Sequence, residues 1–188
     1  MVDIAIVYHS GYGHTARQAQ AVADGVEGVA DAKAILIPVD KIEEHWATLE
    51  TADGIVFGSP TYMGSVSGPF KTFMDASSKP WYARAWKDKV AAGFTNSASQ
   101  SGDKLNTLIQ LAIFAAQHGM VWVGLDTLPG NNNSKGSVED LNRLGSFLGA
   151  MAQSNADQGA DVAPPEADLR TAAVLGARVA ATALRFAR

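Results

Sequence analysis

The chain has 188 residues, 47% hydrophobic and 18% charged, with a net charge of −4; it is long enough for one domain, spanning residues 1–188, with a substantial core. The negative balance argues against nucleic acid or an anionic membrane as a partner, and the absence of cysteine excludes disulfides, thiolate catalysis and Cys-based metal sites. No stretch approaches the ~20 apolar residues of a membrane span and no secretion signal is visible, so a cytoplasmic protein is expected.

Strand and helix patterns alternate from end to end. Apolar runs at residues 4–8, 34–39, 54–57, 90–94 and 120–124 predict strands. Each is short and lacks polar alternation, as expected for strands covered on both faces. Residues 14–26, 42–49, 68–76, 104–118 and 167–185 predict helices. The last opens with Glu166 and Asp168 and closes with Arg185 and Arg188, the charge order that the helix dipole favours. Five βα units of this kind predict an α/β fold with a doubly wound, five-stranded parallel sheet. In such sheets ligands bind beyond the carboxyl ends of the strands. Residues 131–136 and 155–165 read as polar, turn-rich loops long enough to shape a site.

Three of the predicted strands end in loops of small polar residues. The first loop reads Ser10, Gly11, Tyr12, Gly13, His14, Thr15 and lies between a buried strand and a helix start. N–H groups at a helix N-terminus lack intrahelical partners and face the positive end of the dipole, so this loop is a candidate phosphate cradle. Ser10 and Thr15 add hydroxyl donors, and the two glycines let the backbone close on an anion. The spacing matches neither the Gly-x-Gly-x-x-Gly fingerprint nor the loop of the ATP and GTP binders. The plain alternative is an ordinary βα turn. The second loop reads Gly58, Ser59, Pro60, Thr61, Tyr62, Met63, Gly64, Ser65, and the third Thr95, Asn96, Ser97, Ala98, Ser99, Gln100, Ser101, Gly102. Fold geometry brings all three to one rim. Loops of this kind suit the edge of a flat heteroaromatic ring, with Tyr62 able to cover a face.

The chain resembles the flavodoxin-like NAD(P)H:quinone oxidoreductases of the WrbA type. The resemblance is carried by Ser10 to His14, by Phe57-Gly58-Ser59-Pro60-Thr61 with Gly64, and by Thr72-Phe73-Met74-Asp75. Trp81, Lys89, the third loop and His118-Gly119-Met120-Val121 complete it. It implies a flavodoxin-like strand order, 2-1-3-4-5, and FMN held by the three loops, with NADH or NADPH as donor. It also implies Tyr12 near the nicotinamide, Trp81 against the acceptor, His118 beside the flavin, and a homo-oligomer in which a neighbour completes the pocket. Two departures bear on these expectations. The segment between the second and third strands is shorter than in relatives, which favours a dimer over a tetramer. Tyr62 and the run from Ala98 to Ser101 replace residues of the relatives' ring pocket, so substrate choice does not carry over.

A flavin would supply the redox chemistry, so no nucleophile or metal is required of the protein. His118 is the candidate catalytic residue, as a hydrogen-bond donor or proton source; the alternative is a helix-end cap. The expected function is two-electron reduction of quinones or similar acceptors by NAD(P)H. The alternatives are a flavodoxin-like electron carrier and a flavin-dependent regulatory protein. The modest net charge and the absence of an aromatic in the third loop favour the enzyme.

Overall fold

The computed structural model describes residues 1–187 and shows a parallel sheet between two helical layers. The chain opens with β1 (Val2–Tyr8), α1 (His14–Glu27) and β2 (Ala32–Pro38). A 3-10 turn at Val39–Glu44 and the short α2 (Trp46–Thr51) lead to β3 (Gly54–Tyr62). A two-residue β4 (Ser65–Val66), α3 (Gly68–Ala76) and α4 (Ser78–Tyr82) follow. Then come β5 (Val90–Ser97), α5 (Lys104–Gln117), β6 (Val121–Trp122), β7 (Ala150–Gln153) and α6 (Glu166–Phe186).

The strands lie in the order β2-β1-β3-β5, and the fifth position is filled by two segments. β6 pairs with Val90 and Ala91 at the start of β5, and β7 pairs with Phe94 to Ser97 at its end. Counted as one strand, they give the expected flavodoxin-like order. The expected strand at residues 120–124 is therefore corrected: it is the first half of a strand that residues 123–149 interrupt. The interrupting segment folds back beside the gap, where Leu148 accepts from Trp122 Nε1 and Phe147 accepts from the Leu125 N–H. Two other expectations are adjusted. The helix expected over 42–49 is a 3-10 turn and α2 separated at His45, whose φ of −125 is not helical. Much of the second loop is strand: β3 continues to Tyr62, turns through Met63 and Gly64 at φ 50 and 77, and returns as β4.

Alternate residues of β1 enter different cores, Ile4 and Ile6 one, Ala5 and Val7 the other. Two-sided burial is why the run shows no polar alternation. On the first face α1 and α6 pack over Ile4, Ile6, Val56 and Phe94. They meet at two glycines: a Cβ on Gly25 would lie 1.9 Å from the Ala173 carbonyl, and one on Gly176 2.1 Å from that of Val22. On the second face Phe57, Phe70, Phe73, Trp86 and Phe114 form one aromatic cluster. No helix among the described residues is long and apolar enough to cross a membrane.

Candidate functional site

The chain leaves β1 at Tyr8 and turns into α1 through Gly13, whose φ of 87 lies in the left-handed region that glycine enters without strain. Ser10 Oγ accepts from the Ala16 N–H at 3.0 Å, which leaves the Ser10 hydroxyl proton free to donate. The N–H groups of Tyr12, Gly13, His14 and Thr15 have no protein acceptor among the described residues. A row of unpartnered donors at the positive end of a helix is the arrangement that binds phosphate. Thr15 is buried beneath the loop.

A cavity of about 560 Å³ opens beside these donors. That lies within the ~300–1,000 Å³ of small-molecule sites. Ser10, Gly11, Tyr12, His14 and Thr15 form one wall, and Pro60, Thr61 and Tyr62 at the end of β3 form the next. Asn96, Ser97 and Ala98 line the third side. The Tyr62 ring leans over the cradle: its hydroxyl lies 2.5 Å from where a Cβ on Gly11 would stand, so a side chain there would push the ring aside. Tyr12 meets Tyr62 edge to face at 6.4 Å. Burial and the neighbouring Tyr12 raise the Tyr62 phenol, against a lowering contact with the Gly11 backbone. Behind this wall the Thr61 hydroxyl bonds those of Thr95 and Thr107, each at 2.8 Å. Thr95 is buried and supports the pocket without lining it.

A fourth wall comes from the segment after β7, through Ser154, Ala156, Gln158 and Gly159. Sequence reasoning missed these residues; the polar loop at 155–165 was the signal, without a location. Their attachment to the cradle is specific. Ser154 Oγ donates to Asn96 Oδ1 at 2.9 Å, Arg17 donates to the Ala160 carbonyl at 2.9 Å, and His14 Nε2 lies 2.8 Å from the Gln158 carbonyl.

Other expected residues lie elsewhere. Met63 is fully exposed and Gly64 forms the tip of the β3–β4 turn. Ser99, Gln100 and Ser101 do not line the cavity. The Ser99 and Gln100 carbonyls are drawn to the Lys104 ammonium at 2.7 and 2.8 Å, and Gln100 and Ser101 face a separate depression with Arg143 and Phe147. Trp81 and His118 are not brought to the cavity either. α5 runs back from the carboxyl edge of the sheet, so its last residues reach the amino edge, where the Gly119 carbonyl accepts from Asp88 just before β5. There His118 is buried, stacked on Trp86 at 4.1 Å between ring centroids, with Nε2 2.9 Å from Ser77 Oγ. Burial, aided by the Arg84 charge, lowers His118 to about 4, so the imidazole is neutral near pH 7. His118 is the C-cap residue of α5, and its neutral ring brings no charge to the helix end. Trp81 lies at this same edge on α4, partly exposed beside the exposed Tyr82, and its carbonyl accepts from the Arg84 N–H.

The model of a family described as NADPH-dependent FMN reductase matches residues 21–135. The chain belongs to that family. It is 47% identical over 184 residues to a protein named flavodoxin FldP from Pseudomonas aeruginosa, covering 96% of each chain. It is 32% identical to an NAD(P)H dehydrogenase (quinone) from Archaeoglobus fulgidus, over 97% of this chain and 98% of the other. Among solved structures it superposes on a WrbA-like flavodoxin from Agrobacterium tumefaciens with a TM-score of 0.76 and 44% identity. That match covers 98% of this chain and 99% of that one. The flavodoxin-like fold, the WrbA-type resemblance, and FMN with a nicotinamide donor as the cofactor chemistry stand with these findings.

Proposed function

We propose that the chain binds FMN in the four-walled cavity and uses NAD(P)H to reduce quinones or similar small acceptors by two electrons. The observation that carries the reading is the row of unpartnered N–H donors from Tyr12 to Thr15 at the mouth of a cavity of small-molecule size. When bound, FMN would supply the electron transfer itself. The chain's residues then have three tasks. Tyr12 to Thr15 and the Ser10 hydroxyl hold the phosphate. Asn96, Ser97 and Ala98 offer polar atoms to the ring edge. Tyr62 covers part of one face, while the third loop contributes no aromatic to the other, so one face stays open to donor and acceptor in turn. That order of events is ping-pong. Trp81 and His118 lie at the amino edge of their own sheet, so a role at a flavin requires them to come from a second copy of the chain. A homo-oligomer is part of the proposal for that reason, and exposed Trp81 and Tyr82 support it.

A second reading is an electron carrier, favoured by the relative named a flavodoxin at 47% identity. Anaerobic addition of NADH or NADPH to the purified FMN-loaded protein separates the two. Direct bleaching of the flavin absorbance is expected for the reductase. A spectrum that stays oxidised until a separate reductase is added would establish the carrier.

A further inference from the structure

Lys104 opens α5, yet its side chain is fully buried. The ammonium has three N–H donors and each finds an oxygen: Ser97 Oγ at 2.8 Å, the Ser99 carbonyl at 2.7 Å and the Gln100 carbonyl at 2.8 Å. All three acceptors are neutral. Among the described residues no carboxylate lies within 4 Å of it. Asp168 of α6 acts on it through space but is held by the Arg143 guanidinium at 2.7 and 2.8 Å, and the adjacent Asp103 is exposed. A buried cation without a counter-ion opposes folding. Its position gives it a use. Ser97 both lines the cavity and accepts from the ammonium, so the charge stands one hydrogen bond behind the cavity wall.

We propose that Lys104 is a positioning and potential-setting residue: it fixes the third loop and holds an uncompensated positive charge that favours the reduced, negatively charged flavin. The inference rests on the reading that the cavity takes FMN. Hydride transfer from NAD(P)H delivers two electrons and one proton; the donor leaves as NAD(P)⁺ and the ring gains one net negative charge. A fixed cation in a poorly solvated wall stabilises that charge without reorganising. Burial brings Lys104 down to about 8, with Asp168 raising it and Arg143 lowering it, so it is largely protonated near pH 7. A negative charge arriving in the cavity raises it again. Reduction between about pH 8 and that raised value therefore takes up as much as one extra proton, on Lys104.

The test is spectroelectrochemical titration of FMN-loaded wild type, Lys104→Arg and Lys104→Gln across neutral and alkaline pH. Lys104→Gln is expected to weaken the preference for reduced over oxidised FMN by about tenfold, which for a two-electron couple is about 30 mV. Lys104→Arg is expected to stay near wild type at neutral pH. The wild-type midpoint potential is expected to fall more steeply above about pH 8, and the arginine variant, which does not titrate, lacks that steepening. Equal potentials in wild type and Lys104→Gln would overturn the proposal. If Lys104→Gln does not take up FMN, the wild-type curve decides alone: no steepening overturns it. Failure of the wild type to take up FMN in a fluorescence titration would instead remove the FMN reading, and this inference with it.

Discussion

At the carboxyl edge of the sheet, backbone N–H groups from Tyr12 to Thr15 have no protein acceptor among the described residues, and hydroxyls and amides surround a cavity. At the amino edge, His118 and Trp86 stack in a buried aromatic cluster, and even His118 Nδ1 and Trp86 Nε1 find no partner among the described residues. The same βα connectivity produces both. Helix N-termini collect at the first edge, where free donors and a positive dipole end invite an anion, and helix C-termini collect at the second. Burial shifts titratable groups at both edges, His118 at the amino edge and Lys104 at the carboxyl edge, so a shifted group alone does not mark the cavity.

The largest expected effect tests whether the carboxyl edge is braced from behind. Asp168 accepts from Arg143 and from the Gln153 N–H at 2.9 Å, and Gln153 Nε2 donates to the Ala98 carbonyl at 2.9 Å. Asp168→Ala strands a buried guanidinium and is expected to cost about 3–5 kcal/mol in urea unfolding, with part of the loss recovered in Asp168→Ala combined with Arg143→Met. A loss under about 1 kcal/mol would make the bracing dispensable.

The next concerns the amino edge. His118 sits near 4 in the folded chain against an ordinary 6.5 unfolded. Between those values the unfolded chain binds more protons, so stability rises with pH through that window and falls as the solution is acidified. About 2 kcal/mol is expected to be lost at pH 5 relative to neutral pH, and His118→Leu is expected to lose that part of the pH dependence. The same variant tests reach across copies. Slower quinone reduction with unchanged reduction by NAD(P)H would bring this edge to a neighbour's flavin.

Ser10→Ala with Thr15→Ala removes two hydroxyls from the cradle. Hydrogen bonds to charged groups are worth about 1.5–3 kcal/mol, so FMN affinity is expected to fall at least about tenfold by fluorescence titration. The pH dependence of the amino edge should not change. The smallest effect is expected for Trp81→Ala, within about 0.5 kcal/mol in stability because the ring is partly exposed. Light scattering and quinone turnover should change with it if Trp81 joins two copies, and a monomeric wild type would remove that role.

The central strands β1, β3 and β5 were legible because each is an apolar run covered on both faces, as Ile4 to Val7 show. The cradle was legible because a strand, a glycine turn and a helix start are contiguous in the chain. The far half of the third loop was not: Ser99 and Gln100 look like ring contacts until Lys104, five and four residues on, turns their carbonyls inward. The divided fifth strand was hidden for another reason. Two residues in β6 and four in β7 are too few to show a period, and only pairing with β5 defines them. The fourth wall depends on contacts such as His14 with Gln158, separated by 144 positions, which no local pattern records.

The close seat of α6 on α1 carries a consequence for synthesis. The cradle helix emerges early, but the surface that buries Val22 and Val26, with Leu175 and Val179, belongs to the helix that emerges after it. During translation the early segment has no finished partner, and its apolar face stays exposed to other chains. A cavity that depends on the seating of α1 is therefore expected to be complete only after residues 166–186 have left the ribosome.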